Sequence, residues 1–440
     1  MRATYILVLG AVLATFPGYA GEWDNEGRAL TSDCGAGGLS VVATCGAFLF
    51  NSGKPVRFMI PTSVVPGGGT ALGAQYVHQL DIPNWAESNL TIDGGSSLRE
   101  FWFTDLNLTL NHRRFGGEWN TARDAFRIQV YSHARGLPQM PFYGIGPNTS
   151  RSNITDFTER DITAGASVFV PLKSWFATGG STEFLQTHIG NINDSSVRSI
   201  GTYYNEATAP GLARQPNFAH YTVFVQPRRE WLWTQVHSQV AYHYYQDPSS
   251  GRYSTRKFRA EFLQRIYPES QHEATGGGTS VRRQPKYDSV LYIGGRFTAE
   301  SAATGHVVPF YLQETIGGSD IEGVPALRGF QDYRFRAPNL FYLQAQYERR
   351  LLRARPAGEA PSTFRSIASS VGIMAFYDTG EVAARLSDLD MSNLRHSFGF
   401  GLTFWSGNKV WFRAYVGLGS GEGLHNFVGV TNPGATQFHM

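Results

Sequence analysis

Long apolar runs are missing from most of this chain. Beyond residue 21 the sequence has no stretch of about 18 apolar residues, which excludes a transmembrane helix. Charged residues are also few, at 17% of 440 residues, and the formal net charge of +3 is too small to indicate a nucleic-acid partner. Only two cysteines are present, and no further ligands lie near them in sequence, so a metal site built on them is not expected.

Motifs for catalysis and cofactor binding are absent as well. The sequence has no Gly-x-Ser-x-Gly motif and no His–Ser or Asp–His set whose spacing would assemble a catalytic group, so no enzymatic activity is predicted. The glycine run at 66–70 lacks the lysine and the following helix of a phosphate-binding loop. No cofactor is therefore expected.

The N-terminus has the pattern of a secretory signal peptide. An apolar run extends from Tyr5 to Phe16, and small residues follow at Gly18 and Ala20. We therefore predict a removable signal peptide over residues 1–20. A membrane anchor is the alternative, but the apolar run is short for a span and no lipid-acceptor cysteine follows it.

The two cysteines lie close together, at Cys34 and Cys45. In an exported chain an even pair at this spacing predicts a disulfide, because the compartments outside the cytoplasm are oxidising. Two unpaired cysteines are the alternative.

Aromatic residues and glycine are abundant, with 30 Phe, 21 Tyr, 9 Trp and 49 Gly. A membrane barrel explains this mixture, because half of each strand faces lipid, half faces the lumen, and aromatic girdles mark both interfaces. A secreted β-sandwich or β-helix could share the composition, so the decision depends on the pattern along the chain.

Alternation of apolar and polar residues dominates that pattern, and it indicates strands with two different faces. Several alternating segments run about ten to fourteen residues, whereas a tilted bilayer-crossing strand needs about nine to eleven and strands in soluble proteins average about five or six. One polar face carries Lys257, Arg259, Glu261 and Arg265. This is too charged for the dry interior of a sandwich, so we interpret the polar faces as a wetted lumen.

Histidines also fall on or beside these strands. We interpret them as lumen-lining or strand-end residues rather than as metal ligands, and they include His112, His133, His237 and His243.

These patterns predict an all-β protein, a transmembrane antiparallel β-barrel of about 16 strands over residues 39–440, after a short periplasmic segment at 21–38. The predicted strands are 39–50, 54–64, 69–82, 98–112, 122–135, 157–171, 181–192, 218–228, 231–246, 253–267, 287–299, 338–352, 364–378, 394–405, 408–419 and 424–432. The first two have the weakest pattern, so about fourteen strands is the alternative. Odd-numbered strands are expected to run outward, which makes long outer loops of 136–156, 193–217 and 300–337 and a long inner turn of 268–286.

The segment 300–337 is too long for a passive connector and too varied for a disordered one. It contains Gly317-Gly318 and then Leu327-Arg328-Gly329-Phe330. A loop of this size can fold back into the lumen. Its arginine would then need an acidic partner, because an unpaired charge out of water is costly.

At these residues the sequence resembles the barrel domain of the BamA-type outer-membrane assembly factors and two-partner-secretion transporters, also called bacterial surface antigens. The resemblance rests on the Gly-Gly and Leu-Arg-Gly-Phe loop motif and on a second motif that matches Phe376, Asp378 and Gly380. It implies that Arg328 is held inside the barrel by Asp378. The family's usual acidic residue on the strand after the loop is replaced by Gln346, and Glu348 is the candidate substitute.

The resemblance also implies a location in the bacterial outer membrane and a role in membrane biogenesis or in translocation of protein or lipid. Family members with assembly roles carry periplasmic POTRA modules, which this chain is expected to lack. Expected partners are outer-membrane lipid and lipopolysaccharide, together with a periplasmic partner or a protein substrate. The alternative function is a passive or gated pore, in which lumenal charges such as Arg259 and Arg265 set selectivity.

Overall fold

A computed structural model describes most of the chain between residues 56 and 429. The described ranges are 56–59, 64–83, 85–112, 125–194, 196–231, 233–268, 270–274, 281–285, 288–352, 370–406 and 409–429. The predicted signal peptide, the segment 21–38, the first predicted strand and both cysteines lie outside these ranges, so those predictions stay predictions.

Sixteen strands form one antiparallel sheet, and each strand pairs with the next strand of that sheet along the chain. The strands of this sheet are β1 (Val56–Met59), β2 (Ala71–Ile82), β3 (Trp85–Ser97), β4 (Trp102–His112), β5 (Phe126–Phe142), β6 (Thr155–Lys173), β7 (Phe176–Asn191), β8 (Phe218–Trp231), β9 (Thr234–Gln246), β10 (Thr255–Ile266), β13 (Ser289–Ala302), β16 (Asn339–Arg350), β17 (Val371–Ala383), β18 (Arg395–Ser406), β19 (Lys409–Gly419) and β20 (Gly423–Gly429). Two further pairs stand apart from it, β11 (Ser270–Ala274) with β12 (Val281–Pro285) and β14 (Glu314–Ile316) with β15 (Phe335–Ala337).

Helical structure is confined to the outer loops within the described ranges. One short α-helix spans Ile200–Tyr203, and the 3-10 turns are Arg151–Asn153, Phe310–Leu312, Leu386–Asp388 and Met391–Asn393. None of the helices in this part of the chain has the length and apolarity to cross a bilayer.

The two faces of the sheet differ as the alternation predicts. Outward side chains are apolar and exposed, as at Val130 (47% exposed) and Phe400 (68%), while inward ones are polar and buried, as at Gln129 (7%) and Arg413 (2%). An apolar outer surface around a polar, buried inner face is the arrangement of a barrel wall in lipid. The predicted fold class, an all-β transmembrane barrel, is therefore confirmed.

The sheet curls around the segment between β13 and β16, residues 303–338, which we call the plug loop. Near one end of the sheet, Tyr333 of this loop donates a hydrogen bond of 2.8 Å to the carbonyl of Pro66, just before β2. Near the other end, Gly329 packs on the backbone of Gly419 in β19. The predicted folding of this loop into the lumen is what the structure shows.

Aromatic side chains from the plug loop and from the wall form a buried core under the outer loops. Phe310 of the plug loop is fully buried, with its ring centroid 5.0 Å from that of Phe142 in β5 and 5.3 Å from that of Phe157 in β6. Leu137, Met140, Phe218 and Ile200 belong to the same cluster. The outer half of the lumen is thus packed like the interior of a soluble domain, which fixes the position of the plug loop.

One strand contradicts the predicted boundaries. The predicted strands leave a gap between residues 82 and 98, but residues 85–97 form β3, which pairs with β2 on one side and β4 on the other. Its Asp93-Gly94-Gly95-Ser96-Ser97 sequence has low β-propensity, and the two neighbouring strands override it. Because β3 adds one strand between β2 and β4, β2 runs inward, toward the end of the barrel with the short turns. The predicted direction for this strand was outward. The long inner turn 268–286 holds the hairpin of β11 and β12.

Candidate functional site

The plug loop turns sharply at Gly317 and Gly318, whose φ angles are +120° and +58°. Their amides donate to the carbonyls of Ala326 (3.0 Å) and Leu327 (3.1 Å), so the two glycines hold the segment that carries the arginine. A Cβ on Gly317 would lie 2.5 Å from the Cβ of Arg334, which leaves room only for glycine. Leu327 also has a positive φ, +50°, and this strained residue turns the next one toward the wall.

Arg328 lies against Asp378 of β17. Its Nη2 donates to Oδ1 at 2.6 Å, its Nε donates to Oδ2 at 2.9 Å, and its backbone nitrogen donates to the same Oδ2 at 2.9 Å. Ser397 of β18 adds a hydrogen bond of 3.3 Å to Oδ2. The side chains of Arg328 and Asp378 are 1% and 0% exposed, so this is a fully buried, bidentate ion pair with both partners saturated.

The other residues of the strand motif shape the space around this pair. The Arg328 guanidinium carbon lies 3.7 Å from the ring centroid of Phe376, and Tyr415 of β19 packs edge-on against Phe376. This contact adds cation–π stabilisation in a desolvated position. A Cβ on Gly380 would lie 2.8 Å from the carbonyl of Phe341, so glycine lets β17 and β16 approach there.

Gly329 lets the loop lie flat on β19. A Cβ at this position would be 2.3 Å from the backbone of Leu418 and from the nitrogen of Gly419. Phe330, the last residue of the loop motif, is buried and packs edge-on against Phe335 at 5.3 Å between ring centroids. The motif thus combines an arginine that bonds β17 with a glycine that fits β19.

Gln346 and Glu348 of β16 extend the polar network. Arg328 Nη1 donates to Gln346 Oε1, and Gln346 Nε2 donates to Glu348 Oε1 at 2.6 Å. Glu348 also accepts a hydrogen bond of 2.7 Å from Arg413 of β19. Glu348 therefore reaches Arg328 through Gln346, and its ion-pair partner is Arg413, which the sequence analysis did not single out.

A second set of ion pairs holds the first half of the plug loop to β10 and β13. Glu322 accepts two hydrogen bonds of 2.7 Å from Arg259, and Asp320 accepts one of 2.7 Å from Arg296. The predicted pore-lining Arg259 is therefore bonded to the plug loop, and Arg265 lies half-buried in the same strand. These partners were missed in sequence because their separations are long and no motif marks them.

Lys257, next to this set, donates to the carbonyl of Leu312 at 2.7 Å and lies 3.2 Å from Glu314. The second half of the plug loop is held too, because Arg334 donates to Glu422 at 2.6 Å. Arg336 donates to the carbonyl of Phe310 at 2.7 Å and so joins two parts of the plug loop to each other. Charged contacts therefore bind the plug loop to the wall at several points, from Lys257 of β10 to Glu422 after β19.

The solved structures to which the barrel is similar include those of BamA and CdiB. The structure of BamA from Haemophilus ducreyi lacking POTRA domains 1–3 matches with a TM-score of 0.50 at 10% identity, over 91% of this chain and 80% of that chain. CdiB from Escherichia coli matches with a TM-score of 0.50 at 12% identity, over 86% of this chain and 62% of that chain. This chain therefore spans less than two thirds of the length of CdiB.

No protein-family model matches the sequence, and no curated protein matches it either. At these identities the structural likeness establishes the fold. The chain has the barrel fold of BamA and CdiB, as the resemblance in the loop and strand motifs predicts, and this is the fold of bacterial outer-membrane β-barrels.

Proposed function

We propose that this barrel acts in outer-membrane biogenesis or in translocation of protein or lipid, with the plug loop closing its lumen at rest. The observation that carries the proposal is the set of ion pairs that fix the plug loop to the wall, from the half-buried pair of Arg259 with Glu322 on one side to the fully buried pair of Arg328 with Asp378 on the other. Ion pairs out of water are costly to form. A loop that is held by several of them therefore indicates that its position in the lumen is important for function.

The ends of the sheet supply the site where a substrate would act. In the described part of the chain, β1 and β20 are the first and last strands of the sheet, and they pair with β2 and β19. The edge of an end strand can accept another strand through main-chain hydrogen bonds. A polypeptide substrate in extended form fits such an edge.

Arg328 and Asp378 have a positioning role in this proposal and break no bonds. The barrel would work in contact with outer-membrane lipid and lipopolysaccharide, and a separate periplasmic protein would deliver the substrate. An extended protein substrate is the one that the strand edge described above would accept.

The test is depletion of the protein, followed by quantification of outer-membrane proteins, phospholipid and lipopolysaccharide. We expect selective loss of one class of outer-membrane component, restored by the wild-type chain and by Arg385→Ala, which changes an exposed loop arginine. Arg328→Ala should fail to restore it. An unchanged outer membrane after complete depletion would contradict the proposal.

The competing function is a passive or gated pore, and conductance of the purified barrel in planar bilayers separates the two. A lumen closed by a bonded plug loop should give small, flickering conductance. A large, steady, ohmic conductance from the wild-type barrel would favour the pore. In that case, neutralising Arg265, which contacts none of the plug-loop carboxylates described above, should change ion selectivity.

A further inference from the structure

Four polar side chains meet on the lumenal face of β7, β8 and β9, outside the contacts of Arg328. Strand register brings them together, because His220 lies opposite Glu183 of β7 and Thr222 lies opposite His243 of β9. His220 and Thr222 are 7% and 9% exposed, and His243 is half-buried. The group therefore borders the lumen without being open to bulk solvent.

Three of these side chains point their polar atoms at one another. His220 Nε2 lies 3.1 Å from His243 Nδ1, and Thr222 Oγ1 lies 3.2 Å from the first nitrogen and 3.1 Å from the second. The three atoms thus form a nearly equilateral triangle. Tetrahedral zinc with bonds of about 2.0–2.1 Å places its ligand atoms about 3.3 Å apart, which is close to the sides of this triangle.

The remaining nitrogen of His220 is already bonded. His220 Nδ1 lies 2.8 Å from Glu183 Oε2, and Tyr131 donates to the same carboxylate. The Glu183 carboxylate accepts a hydrogen bond from the protonated Nδ1, so His220 Nε2 presents a lone pair to the triangle. This is the arrangement of a metal-ligating histidine, whose second nitrogen donates to a carboxylate that orients the ring.

The tautomer of His243 decides what the triangle can do. With its proton on Nδ1, His243 donates to Thr222 and the hydroxyl donates to His220 Nε2, so hydrogen bonds satisfy all three atoms. With its proton on Nε2, His243 also presents a lone pair, and the lone pairs of the two imidazoles and the hydroxyl converge on a point that a cation would fill. Tyr245 stacks on His220 with ring centroids 4.0 Å apart, so the imidazole cannot easily turn away.

We propose that His220, His243 and Thr222 bind one divalent transition-metal ion of the zinc class, with lumenal water as a fourth ligand. The ring of His220 would be oriented by Glu183. The site has two imidazoles and a hydroxyl, and it is not a group of three His, Cys, Asp or Glu ligands, of which the described part of the chain has none. We therefore expect it to bind the ion more weakly than a structural zinc site does. It revises the interpretation of His243 as a simple lining residue.

Neighbouring charge does not exclude a cation. Two cations lie on the next strand, β10, but Lys257 is 3.2 Å from Glu314, and Arg259 is bonded to Glu322. Their charges are therefore compensated by the plug loop.

The test uses the purified full-length barrel, free of affinity tags, in detergent. Zn²⁺ binding is measured by calorimetry, and Co²⁺ binding is measured by visible absorption, which reports coordination number. We expect one ion per chain, about tenfold or greater loss of affinity in His243→Gln, and a loss of about 10–100-fold in Glu183→Gln, the size typical of an orienting carboxylate. The matched control is His133→Gln, because His133 is lumenal but pairs with Asp105 away from the site.

Heat-dependent gel mobility first establishes that each variant is folded. If the histidine variants do not fold, zinc-edge X-ray absorption of the wild-type barrel decides the question, because two imidazole ligands give characteristic outer-shell scattering. Absence of stoichiometric binding in the wild-type chain would overturn the proposal. The same affinity in His220→Gln/His243→Gln, or absorption without imidazole scattering, would overturn it as well.

Discussion

Gln346 donates a 2.6 Å hydrogen bond to Glu348, so a neutral amide separates this carboxylate from Arg328. Gln346→Glu would remove that donor and put two carboxylates in contact, although it places an acid where the barrel family usually has one. We expect a loss of about 1–3 kcal/mol in unfolding free energy, the cost of an unsatisfied buried group. The exchange Gln346→Glu/Glu348→Gln removes the repulsion but also takes the charge partner of Arg413 away, so it should be no more stable than the single variant. Urea unfolding in lipid vesicles, followed by tryptophan fluorescence, measures both, and a double variant more stable than Gln346→Glu would contradict this account.

Arg328 makes its contacts through the fork of its guanidinium, which lysine cannot reproduce. Arg328→Ala leaves Asp378 buried without its charge partner, at a cost of about 3–5 kcal/mol. Arg328→Lys should recover less than half of that loss, because one ammonium cannot bond both carboxylate oxygens and Gln346. The unfolding assay compares them with Arg385→Ala, an exposed control expected to be neutral. Full recovery in the lysine variant would show that charge alone matters.

Gly329 has no space for a side chain, since a Cβ would lie 2.3 Å from the backbone of β19. Gly329→Ala should therefore displace the loop motif and destabilise the barrel more than Gly323→Ala does. Gly323 is in the same loop with φ of +79°, and a Cβ there would meet nothing within 4 Å, so its substitution costs only backbone strain, about 1–2 kcal/mol. The measurement compares the unfolding free energies of the two variants. Equal losses in Gly329→Ala and Gly323→Ala would mean that the loop motif does not pack tightly on β19.

Arg259 and Glu322 are joined by two hydrogen bonds of 2.7 Å. In a double-mutant cycle, Arg259→Gln and Glu322→Gln should show a coupling energy of about 0.5–3 kcal/mol. Each variant should also speed tryptic cleavage within the plug loop. The matched control is the pair His133 and Asp105, which joins β4 to β5 and should leave cleavage of the plug loop unchanged. Strictly additive effects of the two glutamine variants would count against the pairing.

Asp332 lies in the plug loop, where burial raises its pKa from 3.8 to about 6. Between these pH values the unfolded chain loses the proton while the folded chain keeps it, so stability falls as pH rises from about 4 to about 6. In Asp332→Asn this contribution is absent, and the unfolding free energy should fall less over the same interval. Urea unfolding at several pH values measures the difference. Parallel pH profiles for wild type and variant would contradict the prediction.

Much of the wall follows from sequence, because alternation reports directly which side chains face lipid and which face the lumen. The resemblance pointed to Arg328 and Asp378, and the structure brings them together. β3 escaped prediction because Gly94 and Gly95 carry no outward apolar side chain to alternate, and the pairing with β2 and β4 decides its conformation. This one strand then reversed the predicted direction of β2.

Long-range partners could not be predicted for a different reason. Glu348 and Arg413 are 65 residues apart, and only the register of the intervening strands brings them into contact. The same holds for Arg259 and Glu322, at a separation of 63 residues. The sequence shows that each lumenal charge needs a partner of opposite sign. Which of the many lumenal charges becomes that partner depends on the register of the strands.

The two halves of the plug loop contact strands on opposite sides of it along the chain. The acidic half, with Asp320 and Glu322, bonds β10 and β13, which precede it. The basic half, with Arg328, bonds β17 and packs on β19, which follow it. The first half can therefore dock before the last strands have paired, while the second half needs those strands in place. Docking of the second half of the plug loop and pairing of the last strands should then occur together, late in folding. A chain truncated before β17 would keep only the contacts of the first half of the plug loop.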